Sequence, residues 1–217
     1  YRPYILDQMN EGACTGFGLA AVINFIYWSA WRERELAGGP KEKVPPQVSA
    51  HMLYHNARLY DEWEGSDYEG SSCRGSMKGW HKHGVCDNAL WQKDAKIQNV
   101  AWRQDAASRP LGAYYRVDAR SIADMQAAIF EVRSVYCSAD VHEGWMKPAD
   151  KTVVDTIPIA KIRYQQKNVG GHAFAIIGYT PEGFIVQNSW GPDWGTHGFA
   201  VLTYQDWIKN GFDAWVA

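Results

Sequence analysis

Cys14 is the residue whose type and position first indicate chemistry, because it stands at the N-terminal edge of a long apolar run. A cysteine that only filled a core would more naturally lie inside that run, and here Gly12 and Gly16 leave space around it. A helix N-terminus favours an anion, since its N–H groups are unpaired and its dipole is positive. We therefore expect a lowered pKa and a nucleophilic thiolate at Cys14. A small buried hydrophobic residue is the competing interpretation.

Two polar residues far downstream supply the groups that a nucleophilic cysteine needs. His172 follows two glycines at the start of a predicted strand, and Asn188 stands at the end of the next one. A short turn near Pro181-Glu182-Gly183 joins these strands and lets the two side chains meet. A carboxamide oxygen fixes the tautomer and direction of an imidazole, which can then form an ion pair with a thiolate. Each residue alone could equally be structural.

The elements that must position these residues divide near residue 110, with helical spacing before it and strand patterns after it. Ser121 and Asp124 form a capping box at the start of one later helix. We expect an α+β fold, with an N-terminal helical lobe, a C-terminal antiparallel β lobe and the active site in the cleft between them. We expect a single domain over 1–217, in which the helical lobe covers about 1–110 and the β lobe about 111–217. The predicted helices are 14–37, 46–60, 71–83 and 121–132, and the predicted strands are 112–117, 134–140, 172–180, 183–190 and 198–204.

Length and charge limit the class of function. The 217 residues suffice for one domain of two lobes. The 22 basic and 24 acidic residues nearly cancel, which gives no electrostatic reason to expect nucleic acid or an anionic membrane as a partner. Asn24 and Ser29 interrupt the longest apolar segment, so we expect no membrane span. The sequence does not start with a signal-peptide pattern, although a signal peptide or a pro-segment could have been removed.

Three segments together resemble the papain-like cysteine peptidases, and the resemblance extends along nearly the whole chain. DQ-x5-C, with Asp7, Gln8 and Cys14, is similar to the segment that holds the oxyanion glutamine and the nucleophile. GHAFAIIGY resembles the general-base strand, and QNSWGPDWG resembles the Asn-Ser-Trp-Gly-x-x-Trp-Gly signature. The order of cysteine, histidine and asparagine is also the family's, although His172 lies somewhat further downstream than the usual spacing of roughly 130 to 150 residues.

The resemblance implies a papain-like two-lobe fold and a cysteine endopeptidase that hydrolyses peptide bonds through a thioester on Cys14. His172 would be the general acid and base, Asn188 would orient it, and Gln8 with the Cys14 N–H would hold the oxyanion. A polypeptide substrate, no cofactor, no metal and a monomer are implied, with a pro-segment or an inhibitor protein as a further partner. The implied substrate-binding residues are Gly70, Ser71, Gly171, Ala173 and Trp190, the last also shielding the His172–Asn188 contact from water.

The sequence departs from the resemblance around the nucleophile. Many secreted members have Cys-Gly-Ser-Cys-Trp there, whereas this chain has Ala13-Cys14-Thr15-Gly16-Phe17. The cysteine that would precede Cys14 by three residues, and that usually forms a disulfide, is replaced by Glu11. The chain is therefore more similar to the compact bacterial members. We expect a secreted or effector-delivered bacterial enzyme rather than a lysosomal one.

The remaining cysteines leave alternatives open. Cys73, Cys86 and Cys137 allow at most one bridge, such as Cys73–Cys86, and three buried thiols are the other interpretation. A zinc site is a weak hypothesis, because the spacing C-x7-H-x-H-x2-C is not a standard ligand pattern; its residues would be Cys73, His81, His83 and Cys86. The polar segment 141–169 could overhang the cleft.

Two other functions compete with the peptidase. One is acyl transfer by a deamidase or a transglutaminase-like effector, because a Cys-His-Asn site can also process side-chain amides. The other is a binding module on a degenerate peptidase scaffold. The presence of all four chemical groups of the reaction disfavours it; these are the side chains of Gln8, Cys14, His172 and Asn188.

Overall fold

The computed structural model describes residues 1–62, 68–93 and 100–217. These residues contain six α-helices and eight strands, and two one-turn 3-10 helices at Arg2–Tyr4 and Glu143–Trp145. The helices are α1 (Cys14–Leu36), α2 (Ala50–Leu59), α3 (Cys73–His83), α4 (Ala101–Ala107), α5 (Ile122–Val132) and α6 (Tyr204–Asn210). The strands are β1 (Tyr115–Arg116), β2 (Val135–His142), β3 (Asp150–Val154), β4 (Ile157–Lys161), β5 (Asn168–Tyr179), β6 (Gly183–Gln187), β7 (Phe199–Thr203) and β8 (Gly211–Val216).

The predicted first helix is confirmed as α1, the central helix of the fold. It ends just before Gly38, whose φ of 74° takes the chain out of the helix. By length and composition α1 could cross a membrane, but 61% of its apolar window is buried inside the protein. It packs mainly against α2 and β5, so α1 is a core helix of this fold.

The second helix begins four residues later than predicted. Proline disfavours helical geometry in the residue before it, which keeps the chain extended around Pro45 and Pro46. The Val48 N–H then donates to Asn24 Oδ1 of α1 at 2.9 Å instead of entering a helix. Ser49 caps α2, since its Oγ accepts from the Met52 N–H at 3.0 Å.

The other two predicted helices also begin at serine caps. Ser72 Oγ accepts from the Gly75 N–H at 3.0 Å at the start of α3. Ser121 Oγ accepts from the Asp124 N–H at 3.2 Å at the start of α5. Both helices therefore start within two residues of the predicted position, because the cap that closes their first turn is visible in the sequence.

All eight strands form one sheet in the order β1-β8-β2-β5-β6-β7-β4-β3. The predicted antiparallel arrangement holds except for β4 and β7, which pair in parallel. The β3–β4 hairpin, which the sequence analysis missed, turns through Asp155 and Thr156, both at positive φ. β5 starts at Asn168, so His172 lies inside a strand rather than at its start as predicted.

The two central strands separate two hydrophobic cores. Tyr136 of β2 and Ala175 of β5 face the core of α1, α2 and α3. Their neighbours Cys137 and Phe174 point the other way, into a core with α5 and α6. This alternation is the period of two that a strand requires. A sheet buried on both faces thus holds the helices and the strands in one body.

The ends of the chain cross between the two halves. Near the N-terminus, the Tyr1 hydroxyl donates to Gln187 Oε1 at 2.9 Å. A few residues later, the Gln8 N–H donates to the Ser189 carbonyl at 2.9 Å. At the other end, Trp215 of β8 packs in the core of α1, α2 and α3. Each terminal segment therefore fastens one half to the other.

Candidate active site

Cys14 is the first residue of α1 and faces a cavity between the helices and the sheet. The cavity has a volume of about 690 Å³, and its walls include Cys14 and Thr15 on one side and His172 and Ala173 on the other. Gly18, one turn further along α1, permits this approach, because a Cβ there would lie 2.9 Å from the backbone of Ala173. The nucleophile and base that the sequence predicts therefore face one space.

The pKa of the Cys14 thiol is raised, which corrects the expectation of a lowered pKa at a helix N-terminus. Burial is the largest cause, and backbone hydrogen bonds from Ala173, Thr15 and Cys14 itself oppose it. The helix dipole favours an anion here, but removing a thiolate from water costs more. Burial therefore disfavours an isolated thiolate at Cys14, and its formation requires a neighbour that takes the proton.

Asn188 follows β6 directly and fixes the tautomer of His172. The atoms His172 Nε2 and Asn188 Oδ1 are 2.7 Å apart, and the same oxygen accepts from the Ser189 N–H at 2.8 Å. The Ser189 donor requires an oxygen rather than the amide nitrogen on this side, so His172 Nε2 carries the hydrogen. Nδ1 is then unprotonated and can accept a proton. The predicted contact between the two residues is present.

Burial lowers the pKa of His172 to about 4, and the hydrogen bond to Asn188 opposes this effect. Burial thus disfavours the charged form of each group on its own. Moving a proton from Cys14 to His172 creates two opposite charges together, and each then offsets the desolvation of the other. The site favours charge that is formed in a pair over charge on either group alone.

Gln8 is buried, and both ends of its amide are held. Its Oε1 accepts from the Ser189 hydroxyl at 2.7 Å, and its Nε2 donates to the Glu11 carbonyl at 2.9 Å. A second N–H of the same nitrogen remains for another acceptor. The backbone hydrogen bond between the Gly191 N–H and the Leu6 carbonyl, at 3.0 Å, also ties this segment to the turn after Asn188.

Trp190 lies over the imidazole, with ring centroids 4.7 Å apart and planes inclined by 35°. A second tryptophan, Trp145, stands edge-on to His172 at 6.3 Å and is fully buried. The sequence analysis predicted Trp190 and missed Trp145. The one sequence feature that points to Trp145 is the large number of tryptophans, 11 in the chain. Together the two rings keep water from one side of His172, where a low dielectric strengthens its hydrogen bond.

Four of the five predicted substrate-binding residues line the cavity. They are Gly70, Ser71, Gly171 and Ala173. The fifth, Trp190, lies against His172 and is not among the described lining residues. A hydrogen bond of 2.6 Å between the hydroxyls of Thr15 and Ser71 fixes this wall to α1. The opposite wall adds Ser138, Phe212 and Asp213, and the last two were missed because β8 was not predicted.

The described lining of the cavity is negatively charged. Glu62, Glu69 and Asp213 belong to it, and no described lining residue is a lysine or an arginine. Arg74 pairs with Glu62 and Arg116 pairs with Asp213, each at 2.8 Å. Because these two carboxylates are ion-paired, the charge that favours a cationic or neutral group over an acidic one lies mainly at Glu69 among the described lining residues.

The hypothetical zinc ligands have other partners. The ring of His83 bonds to the Tyr60 hydroxyl at 2.8 Å, and that of His81 bonds to the Gly112 carbonyl at 2.9 Å. Cys73 and Cys86 are buried in separate cores. All four cysteines of the chain are free, so the suggested Cys73–Cys86 bridge is not formed. Within the described ranges, no three metal-ligating side chains are grouped together.

The segment 141–169 mainly extends the sheet. It contains the end of β2, the short helix with Trp145, and the β3–β4 hairpin at the edge of the sheet. None of the described residues that line the cavity comes from it, so the hypothesis that it overhangs the cleft finds no support. Its contribution to the site is Trp145, which packs behind His172.

Comparison with known proteins agrees with this geometry. The sequence profile of papain family cysteine proteases matches residues 60–211, a range that includes His172 and Asn188 and begins after Cys14. The chain is 26% identical over 214 residues to an uncharacterized peptidase C1-like protein of Acanthamoeba polyphaga mimivirus, covering 92% of this chain and 64% of that protein. It is 46% identical over 46 residues to a cathepsin B-like protein of Giardia intestinalis, which is 19% of this chain and 15% of that one.

Solved structures show the same fold. Xylellain, a cysteine protease from Xylella fastidiosa, superimposes with a TM-score of 0.74 at 24% identity, covering 98% of this chain and 81% of that one. The bromelain protease from Ananas comosus gives 0.64 at 18% identity, covering 97% and 91%. Digestive procathepsin L 3 of Tenebrio molitor gives 0.65 at 14% identity, covering 97% and 64%. At these identities the likeness is one of fold.

Proposed function

The chain belongs to the papain family of cysteine proteases, and we propose that it is an endopeptidase which hydrolyses peptide bonds through a thioester on Cys14. The observation that carries the proposal is the shared cavity of Cys14 and His172, with Asn188 Oδ1 2.7 Å from the far nitrogen of the imidazole. A nucleophile, a base and a residue that orients the base are the parts that covalent amide hydrolysis needs.

Acylation begins when Cys14 attacks the carbonyl carbon of the scissile peptide. Its proton passes to His172 Nδ1, because the other ring nitrogen already donates to Asn188. The carbonyl oxygen becomes an oxyanion, which the Cys14 N–H and the second N–H of Gln8 Nε2 hold. As the tetrahedral intermediate collapses, His172 gives its proton to the departing amine, and the acyl group remains on sulfur as a thioester.

Deacylation uses the same groups in reverse. His172 removes a proton from water, the resulting hydroxide attacks the thioester carbon, and the oxyanion forms again. Collapse expels the Cys14 thiolate, the proton on His172 is again available to the sulfur, and the site returns to its starting state. Asn188 and Trp190 act throughout by keeping the imidazole in one orientation and away from water.

We further propose a polypeptide substrate that binds along Gly70, Ser71, Gly171 and Ala173. The acidic lining favours cationic or neutral substrate side chains. A pro-segment is a reasonable partner because several structures of this fold are pro-enzymes. A single domain divided near residue 110, a monomeric state and a bacterial source remain proposals, the last supported by the likeness to xylellain.

Cys14 and Cys73 line the same cavity and allow a matched experiment. Burial raises the pKa of both thiols, that of Cys73 to about 12. Cys14 faces His172, which can take its proton, whereas the side-chain partners of Cys73 are Tyr136 and Ser138. We therefore expect iodoacetamide at neutral pH to label Cys14 and leave Cys73 unlabelled, as read by peptide mass spectrometry. Cys14→Ala should abolish cleavage of a denatured protein substrate, and a folded Cys73→Ala variant should retain it.

Three results contradict the proposal. One is peptide cleavage by purified Cys14→Ala protein. A second is an active wild type that deamidates glutamine, with a mass change of about one unit on the substrate and no backbone cleavage. A wild type whose Cys14 does not react with iodoacetamide would indicate a binding module instead.

A further inference from the structure

Glu11 stands where many secreted papain-like peptidases have a disulfide-forming cysteine, and the cysteines of this chain are all free. We propose that Glu11 is a positioning residue, held by Lys93 and His51, that fixes the Gln8 amide in its oxyanion-binding orientation. An ionic anchor thus replaces the disulfide. This inference rests on the proposed function, because it concerns a group that the proposed reaction uses.

The first link joins Glu11 to Gln8 through the backbone. The Glu11 carbonyl accepts from Gln8 Nε2 at 2.9 Å, and the Glu11 N–H donates to the Gln8 carbonyl at 3.1 Å. The Ser189 hydroxyl holds the other end of the amide at 2.7 Å. With one N–H of Nε2 bound to Glu11, the direction of the second N–H depends on where the Glu11 carbonyl lies.

The second link holds Glu11 itself. Its Oε1 is 3.0 Å from Lys93 Nζ, and its Oε2 is 3.4 Å from His51 Nε2 on α2. The His51 contact is not aligned as a hydrogen bond, since that nitrogen is buried without a hydrogen-bond partner among the described residues. Lys93 therefore supplies the ion pair and His51 a close polar contact. The His51 ring is kept in place by an edge-on contact with Phe17 of α1 at 5.3 Å.

The anchor differs from a disulfide because it responds to salt. The Glu11 side chain is 25% exposed and the Lys93 side chain 59%, so dissolved ions screen their attraction. When the anchor weakens, the loop between Gln8 and Cys14 loses the side-chain contacts that hold Glu11 to Lys93 and to α2. The oxyanion donor then spends less time in place, while the groups that bind the substrate are unaffected.

The test compares kcat and KM of charge-removing variants. Glu11→Gln keeps the side-chain shape, and we expect kcat to fall roughly 3- to 10-fold with KM nearly unchanged, because an oxyanion donor acts mainly in the transition state. Lys93→Met should act in the same direction, and Lys93→Arg should retain activity. Glu42→Gln is the matched control, since it removes an ion pair with Arg34 of similar length, 2.9 Å, at the far end of α1.

A double-variant cycle separates this inference from the proposed function. Gln8→Ala should lower kcat about 10²- to 10³-fold, as for other oxyanion donors. Adding Glu11→Gln to Gln8→Ala should change kcat by less than about twofold, because residues that act through each other are not additive. Raising the ionic strength should lower kcat of the wild type more than that of Glu11→Gln.

Each alternative outcome has a defined meaning. Full activity of Gln8→Ala contradicts the oxyanion assignment of the proposed function. If Gln8→Ala is impaired while Glu11→Gln keeps its kcat, or if the two losses multiply in the double variant, the anchor is wrong and the reaction stands. Thermal melting of each variant shows whether it is folded, and Lys93→Met provides the same test should Glu11→Gln fail to fold.

Discussion

Asn188 places one carboxamide oxygen between two donors, the Nε2–H of His172 and the N–H of Ser189. Its own Nδ2 is buried without a hydrogen-bond partner among the described residues. A buried donor left unpaired costs about 1–3 kcal/mol. We interpret this cost as a sign that the residue is used for the orientation of the imidazole rather than for stability.

Replacement of Asn188 should affect the reaction as well as the fold. We expect Asn188→Ala to lower kcat by about 10²-fold, the lower part of the range that a positioned general base supplies. Loss of the acceptor leaves the buried donors of His172 and Ser189 unpaired, and removal of the unpaired Nδ2 offsets only one of them, so the free energy of unfolding should fall by about 1–3 kcal/mol. Steady-state kinetics and urea denaturation measure the two quantities.

Asn210→Ala is the control for this prediction. It removes an amide that donates to Asp206 Oδ1 at 2.7 Å, away from the cavity, and it should leave kcat unchanged. An Asn188→Ala protein with normal kcat, or one that is merely less stable with unaltered kinetics when folded, would contradict the assigned role.

The proximity of single residues could be predicted where their chemistry is distinctive. Cys14, His172 and Asn188 could be paired from their segments, and the structure brings their side chains to one region. The pKa of Cys14 could not be predicted, because burial depends on residues from β5 and α3 that are remote in the sequence. The contacts of Ser189 and Glu11 with the Gln8 amide could not be predicted either, since serine and glutamate have many ordinary uses.

At the scale of elements, the packing of α1 on β5 decides where the sulfur lies. Gly18 is the point of contact, and a Cβ there would lie 2.9 Å from the backbone of Ala173. We expect Gly18→Ala to push the two elements apart, with a loss of about 1–3 kcal/mol in the free energy of unfolding. The kcat should fall as well, because Cys14 and His172 move with the two elements.

Gly38→Ala tests whether destabilisation alone explains such a loss. Gly38 has a φ of 74° with open space around it, so an alanine there costs about 1 kcal/mol in backbone strain without touching the site. That variant should lose stability and keep its kcat at a temperature where it is folded. Equal kinetics for Gly18→Ala and Gly38→Ala would show that the α1–β5 distance is unimportant.

Elements with a strong local signal were predicted, and those set by distant contacts were not. α1, α3 and α5 have a continuous apolar pattern or a serine cap. α4 and α6 contain seven residues each, which is too short for a helical period to be evident. β8 is part of the sheet because β2 and β1 pair with it. Its short sequence GFDAWV has no pattern from which that pairing could be predicted.

For the whole molecule, the buried imidazole makes stability depend on pH. His172 has a pKa of about 4 in the folded protein and an ordinary value of 6.5 when unfolded, so the unfolded chain binds the proton more readily between these values. The corresponding stability is fully present above pH 6.5 and is lost as the pH falls towards 4. At pH 4.5 the loss amounts to about 2–3 kcal/mol.

Urea denaturation at pH 7.5 and 4.5 measures this loss, with Cys14→Ala as the parent to prevent self-cleavage. His172→Gln in the same parent removes the titrating group, so the fall in stability between the two pH values should be smaller by about 2–3 kcal/mol. An equal fall in both proteins would mean that the acid sensitivity arises from other groups.

The crossing of the chain ends also has a consequence for what this protein can act upon. Since the first segment is fastened to the strands and the last one to the helices, the two walls of the crevice cannot swing open without detaching one of them. We therefore expect a slot of constant width, into which an extended, locally unravelled stretch of another polypeptide fits and a folded surface does not. The equilibrium constant for local unfolding of the target would then set the rate at which it is degraded.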